Sequence, residues 1–131
     1  MKPHALLLGI ALAGLLLPGE GRCGEVIVHP SATVSPEDVR DIFLGEKQLA
    51  GGTRLVPVDN GAAQEEFLAK VLQTDTQKYY ARWTRKSFRE GINAPPLKGS
   101  DAEVISFVKA TPGAIGYISK PYPGVKVIST Y

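Results

Sequence analysis

The stretch "SDAEVISFVKATPGAIGYIS" at residues 100–119 carries a helix, a turn and a strand in one run, and the fold is decided by how it is read. Ser100, with Glu103 three residues on, forms a capping box in which each side chain satisfies a backbone amide of the other's turn. Val104, Ile105 and Val108 then recur at helical spacing. Pro112 and Gly113 break the chain, and the apolar run from Ala114 to Ile118 reads as a buried strand. Glycine weakens a strand interior, so Gly116 needs a reason. A bulge is one, and the close approach of another backbone or a ligand is the other.

Working outward from this run, strand-like and helix-like segments alternate. "EVIVH" at 25–29 is a β-branched strand ending at Pro30. In "SPEDVRDIFLGE", Ser35 is a suitable N-cap, Pro36 fits the first turn and Asp38 stands three residues after the cap. Val39, Ile42 and Phe43 share a face, and Gly45 can close the helix in a left-handed conformation. "TRLVPVD" at 53–59 reads as a strand, with Pro57 placing it at a sheet edge or a strand end. Phe67, Leu68, Val71 and Leu72 mark a helix over 61–73. Thr74, Asp75 or Thr76 caps the next helix, whose Tyr79, Tyr80 and Trp83 form an apolar side running toward Phe88. "GINAPPLKG" is a loop, because adjacent prolines cannot continue a helix. After Pro121 to Gly124, "VKVIS" at 125–129 gives a final strand. The resulting order β-α-β-α-α-α-β-β predicts an α/β sandwich, with a small mixed sheet flanked by helices.

The N-terminus has one positive charge at Lys2 and the apolar run "ALLLGIALAGLLLP" at 5–18, followed by small residues. This is the pattern of a cleaved secretory signal peptide, too short for a membrane span of ~20 apolar residues. Residues 1–23 are therefore expected to be a leader and 24–131 a single domain, with cleavage within 21–24. A chain cut after Cys23 has 108 residues and no cysteine, since Cys23 is the single one. It is then periplasmic or secreted and has no disulfide. The full chain carries a formal charge of +2. Without Lys2, Arg22 and Glu20 the cleaved chain keeps 13 basic and 12 acidic residues. That balance argues against nucleic acid as the main partner.

"VSPEDVRDIFLGE" at 34–46, "TRLVPVDN" at 53–60, "YYARWTRKSFREG" at 79–91 and the opening run come in this order. Together they resemble the second lobe of the phosphate-type periplasmic substrate-binding proteins of ABC importers, over nearly the whole of 24–131. The resemblance implies one lobe of a type 2 periplasmic-binding fold, in which two α/β lobes clamp an oxyanion across a hinge. It places the "GAIGY" strand near the crossing between lobes. The family's phosphate-contact segment, an arginine followed by Asp-Gly-Ser-Gly-Thr at a helix start, falls at "VDNGAAQEEF", residues 58–67. Asn60 and Gly61 keep its turn-forming character, but Ala62 and Ala63 lack hydroxyls and no arginine adjoins them. Helix-start amides can meet an anion, whereas Asp59, Glu65 and Glu66 oppose one.

Asn60, Gly61, Ala62 and Gln64 are accordingly the ligand-binding candidates. Phosphate or a similar oxyanion is the expected ligand, held weakly by one lobe or more tightly in a homodimer that rebuilds a closed cleft. A second candidate is the basic stripe of Lys78, Arg82, Arg85, Lys86 and Arg89, spaced by three and four residues. It is either a solvated face or a docking surface for an anion or an acidic partner, with Arg82, Arg85 and Arg89 at its centre. That partner would be an envelope protein or an ABC importer. No catalytic, metal or cofactor constellation stands out. His29 is the single histidine after residue 23, and the paired carboxylates sit in helix first turns, where the dipole favours them. A binding protein, not an enzyme, is expected. The competing expectation is a regulatory or interaction domain that kept the lobe as a scaffold.

Overall fold

The computed structural model describes residues 23–131, so the expected leader, apart from Cys23, lies outside the described residues. Strand β1 (Glu25–Val28) pairs antiparallel with β7 (Ala114–Ile118) on one side and with β8 (Lys126–Thr130) on the other. Strand β4 (Val56–Pro57) adds parallel to β7, giving a mixed sheet of order β4-β7-β1-β8. Pro57 thus lies in an edge strand, where its missing N–H costs no ladder bond. "TRLVPVD" is not one continuous strand. It divides into β3 (Thr53–Arg54), β4 and β5 (Asp59–Asn60). β3 forms a small ribbon with β2 (Leu49–Ala50), and β5 pairs parallel with β6 (Leu97–Lys98) inside the expected loop.

Successive residues of a strand face opposite ways, and this divides the core in two. Val26, Val28, Ile115 and Tyr117 face one layer of helices. These are α1 (Val39–Phe43), entered through a 3₁₀ turn at Pro36–Asp38, then α2 (Gln64–Phe67) and α3 (Thr76–Glu90). Helix α2 continues as a π-helical turn over Leu68–Leu72 and ends at Gln73, which is left-handed at φ 56°. Ile27, Ala114 and Ile118 face the other layer, the single helix α4 (Asp101–Ala110) with Val104, Ile105 and Val108. Strand β7 is buried along its whole length. That is why it reads as an unbroken apolar run and not as an alternating one.

The sandwich supplies the reason for Gly116. The residue points at α4, and a Cβ there would stand 2.7 Å from Val104 Cγ1 and 2.9 Å from Val58 Cγ1. The pairing of Gly116 with Ile27 is regular, and the sheet's register shift lies instead between Val26 and Ile27 against β8. A bulge at Gly116 is therefore ruled out, and the close approach is made by side chains inside this domain. Gly45 ends α1 as expected, at φ 77°. Among the described residues no helix is long and apolar enough to cross a membrane.

Candidate functional site

The segment leading from β5 into α2 is organised by two buried polar residues. Asn60 is fully buried, and its amide is used in three directions. Nδ2 donates to Asp101 Oδ1 at 2.7 Å and to the Tyr117 carbonyl at 3.0 Å, while Oδ1 accepts from the Ala62 N–H at 2.9 Å. The Ala63 N–H donates to the Asn60 carbonyl and the Gly61 N–H to the Lys98 carbonyl. The amides of Gly61, Ala62 and Ala63 are thus engaged inside the protein, and the helix begins only at Gln64. Asp101 also accepts from the Ser119 N–H and hydroxyl, at 3.0 and 2.8 Å. Burial works against its charge, but the bonds from Ser119 and Asn60 outweigh it and hold the carboxyl below the usual range.

Asp59, one residue earlier, points into the core between β7 and α3. Its two oxygens accept from Tyr79 Oη and Tyr117 Oη, each at 2.7 Å. Burial pushes its carboxyl up to about 6, against the pull of the two tyrosine bonds. Burial, followed by the charge of Asp59, raises both tyrosines above their ordinary range. The carboxylate is therefore directed away from the α2 turn and does not face an anion there. No spacing in the sequence marks this triad, because its members are 20 and 58 residues apart.

On the solvent side, Gly61 and Ala62 are exposed, while Gln64 is buried and donates from Nε2 to Tyr80 Oη at 2.8 Å. Together with Ala63, Glu65, Glu66 and Thr76 they line an open depression of about 400 Å³. Of the four candidates the turn brings Gly61, Ala62 and Gln64 to this depression, and Asn60 supports it from beneath. Thr76 adds a hydroxyl that sequence reasoning passed over, having weighed it only as a helix cap. The first amides of α2 have no acceptor within the helix. Glu66, ion-paired to Lys70 at 2.8 Å, and Glu65 set negative charge beside them. The result is a shallow polar seat of modest electrostatic strength.

The basic stripe divides. Lys86 is buried on the core side of α3 and not exposed with the others. Its Nζ donates to Glu46 at 3.1 Å and Glu90 at 3.2 Å. At one hundred degrees per residue, position 86 lies within ~20° of Tyr79, which explains the inward turn. Arg82 pairs with Glu46 at 3.4 Å. Arg85 and Arg89 are exposed and make no ion pair among the described residues. Of the aromatic group, Tyr79 and Trp83 are core, with Trp83 Nε1 donating to the Phe43 carbonyl at 3.0 Å, whereas Tyr80 is 38% exposed. His29 Nδ1 accepts from the Ser31 N–H, and the Ser31 hydroxyl accepts from Gly113, anchoring the turn before β7. Among the described residues no cluster of His, Cys, Asp and Glu could hold a metal ion.

No family model matches the sequence, and no curated protein matches it. Solved structures do. A candidate phosphate ABC transporter substrate-binding protein from Clostridium perfringens, with bound phosphate, aligns over 82% of this chain and 44% of its own, at TM-score 0.58 and 17% identity. PstS from Borrelia burgdorferi aligns over 82% and 47%, at TM-score 0.53 and 16% identity. An ABC-type phosphate transport receptor from Vibrio cholerae aligns over 82% and 46%, at TM-score 0.52 and 16% identity. The fold is that of a periplasmic-binding-protein lobe. This lobe spans less than half the length of the structures it matches. At such identity the likeness extends to the layered sheet and helices and not to individual ligand contacts.

Proposed function

We propose that this chain is a periplasmic solute-binding module that takes phosphate or a similar oxyanion at the α2 turn, as a binding protein and not an enzyme. The observation that carries the reading is the shared fold with phosphate-binding proteins, one of them solved with phosphate bound. The depression lined by Gly61, Ala62, Gln64 and Thr76 supports it, with the first α2 amides and the Thr76 hydroxyl as donors. Enclosure limits the affinity. Tight sites cover ~70% or more of a ligand, whereas this depression is open to solvent on one side and bordered by Glu65 and Glu66. A single lobe therefore binds in the millimolar range, about −4 kcal/mol, and a second chain closing over the depression tightens it.

The test is an NMR titration of the 24–131 protein with phosphate and with sulfate, repeated at protein concentrations spanning any monomer–dimer equilibrium. Amide shifts confined to Gly61–Glu66 and Thr76, saturating at millimolar anion and at lower anion when dimer is present, are expected. Absence of any shift at either protein concentration refutes anion binding. Micromolar binding by the monomer refutes the argument from incomplete enclosure.

A further inference from the structure

The outer face of α3 holds a feature that solute binding does not use. Phe88 is 93% exposed, the most exposed large apolar side chain among the described residues, on a helix whose other large aromatics turn at least partly inward. Helical geometry sets Thr84 about 40° from Phe88 on one flank and Arg85 about 60° away on the other. The two flanks differ in chemistry. On one side Arg85 and Arg89 stand a turn apart. Neither is ion-paired among the described residues, whereas Glu90 is paired with Lys86 and Glu46 with both Lys86 and Arg82. On the other side a recess of about 480 Å³ runs between Tyr80, Ser87, Phe88 and Ala94. Thr84 also lines it, with its hydroxyl proton already donated to the Tyr80 carbonyl at 2.9 Å.

We propose that this face is a docking surface for an acidic segment of another protein. Phe88 forms the central apolar contact, Arg85 and Arg89 pair with the segment's carboxylates, and the recess beside Tyr80 and Ser87 receives one of its apolar side chains. An exposed aromatic bordered by arginines matches the composition in which interface energy concentrates. Guanidinium groups pair carboxylates in forked geometry, and Arg85 and Arg89 have no ion-pair partner among the described residues. The recess favours a protein occupant over a lipid surface, since a flat headgroup layer offers no protruding side chain to fill it. This inference does not depend on the solute reading.

The probe is a displayed library of random peptides selected on the 24–131 protein at low salt. An enriched peptide is then synthesised and measured by fluorescence polarisation. Peptides carrying acidic residues beside a leucine or aromatic residue are expected. Their dissociation constant should rise about tenfold or more with Phe88→Gln and with the pair Arg85→Gln and Arg89→Gln, and also with added salt. Thermal unfolding of both variants should match the parent, because all three side chains are exposed. Enrichment of peptides without acidic residues overturns the proposal, as does equal binding by the variants. It is overturned equally if no peptide enriches while phosphatidylglycerol vesicles bind in a Phe88-dependent way, which assigns the face to a membrane.

Discussion

Replacing Asp59 with asparagine isolates the energetics of the buried triad. An ordinary aspartate titrates near 3.9, and burial holds Asp59 at about 6. The difference corresponds to about 3 kcal/mol between its protonation states. Its sign follows from proton counting. Between pH 4 and 6 the native state binds more protons at this site than the unfolded chain does. Stability from Asp59 is therefore fully present below about pH 4, declines as pH rises through 6, and is level above that. In Asp59→Asn the amide oxygen accepts from one tyrosine and the amide nitrogen donates to the other, so the bonds persist without the titration. Urea unfolding from pH 4 to 7.5, followed by Trp83 fluorescence, gives stability for both proteins. The variant-minus-parent difference should grow by about 2 kcal/mol across this range, because the unfolded carboxyl is already half ionised at pH 4, moving the relative midpoints by about 1 to 2 M. Carboxyls held low elsewhere, such as Asp101, cancel in the difference. A difference that stays flat with pH would show that the Asp59 carboxylate is hydrated and the reasoning wrong.

Three further substitutions probe the frame around the site. Gly116→Ala drives a methyl into Val104 and Val58 and should destabilise by about 1–3 kcal/mol. An unchanged melting temperature would mean α4 can move away freely. Trp83→Phe removes the donor to the Phe43 carbonyl and should lower stability by about 1–3 kcal/mol, read by circular dichroism in denaturant. Asn60→Ala breaks three hydrogen bonds at once. A loss of about 2 kcal/mol or more is expected, together with broadened amide resonances over Gly61–Ala63. Sharp, unshifted resonances there would show that the turn does not depend on Asn60.

Local signals in the sequence carried far. Ser100 caps α4 by accepting from the Glu103 N–H, and Asp75 caps α3 by accepting from the Lys78 N–H. The periodicities of Val104–Ile105–Val108 and of Phe67–Leu68–Leu72 both mark buried faces. Failures occurred where a distant partner decided the outcome. "TRLVPVD" reads as one strand, yet it breaks because Val56 and Val58 donate to Gly113 and Ile115 while Asp59 donates to Pro96. Lys86 shares the three-and-four spacing of its arginine neighbours, but its chain lies over the core and two carboxylates accept its charge. The candidates Asn60, Gly61, Ala62 and Gln64 read in the sequence as one short segment. Which of them face outward was not legible, since it depends on Asp101 and Tyr117 drawing Asn60 inward.

The strand order has a consequence for how this chain reaches its fold. Both partners of β1 are the last strands in the sequence, and the Gly24 and Tyr131 backbones exchange hydrogen bonds in both directions at the far end of the ladder. Until those last strands are available, the apolar segment Val26–Val28 has no native partner on either side. Such distant pairings carry a high contact order and slow folding, on the order of milliseconds to seconds. During synthesis, α1, α2 and α3 can associate early. The EVIV segment, by contrast, stays an unpaired β-forming stretch with the aggregation risk that implies. A chaperone that shields residues 25–28 until β7 and β8 arrive would act at the step this topology makes slowest.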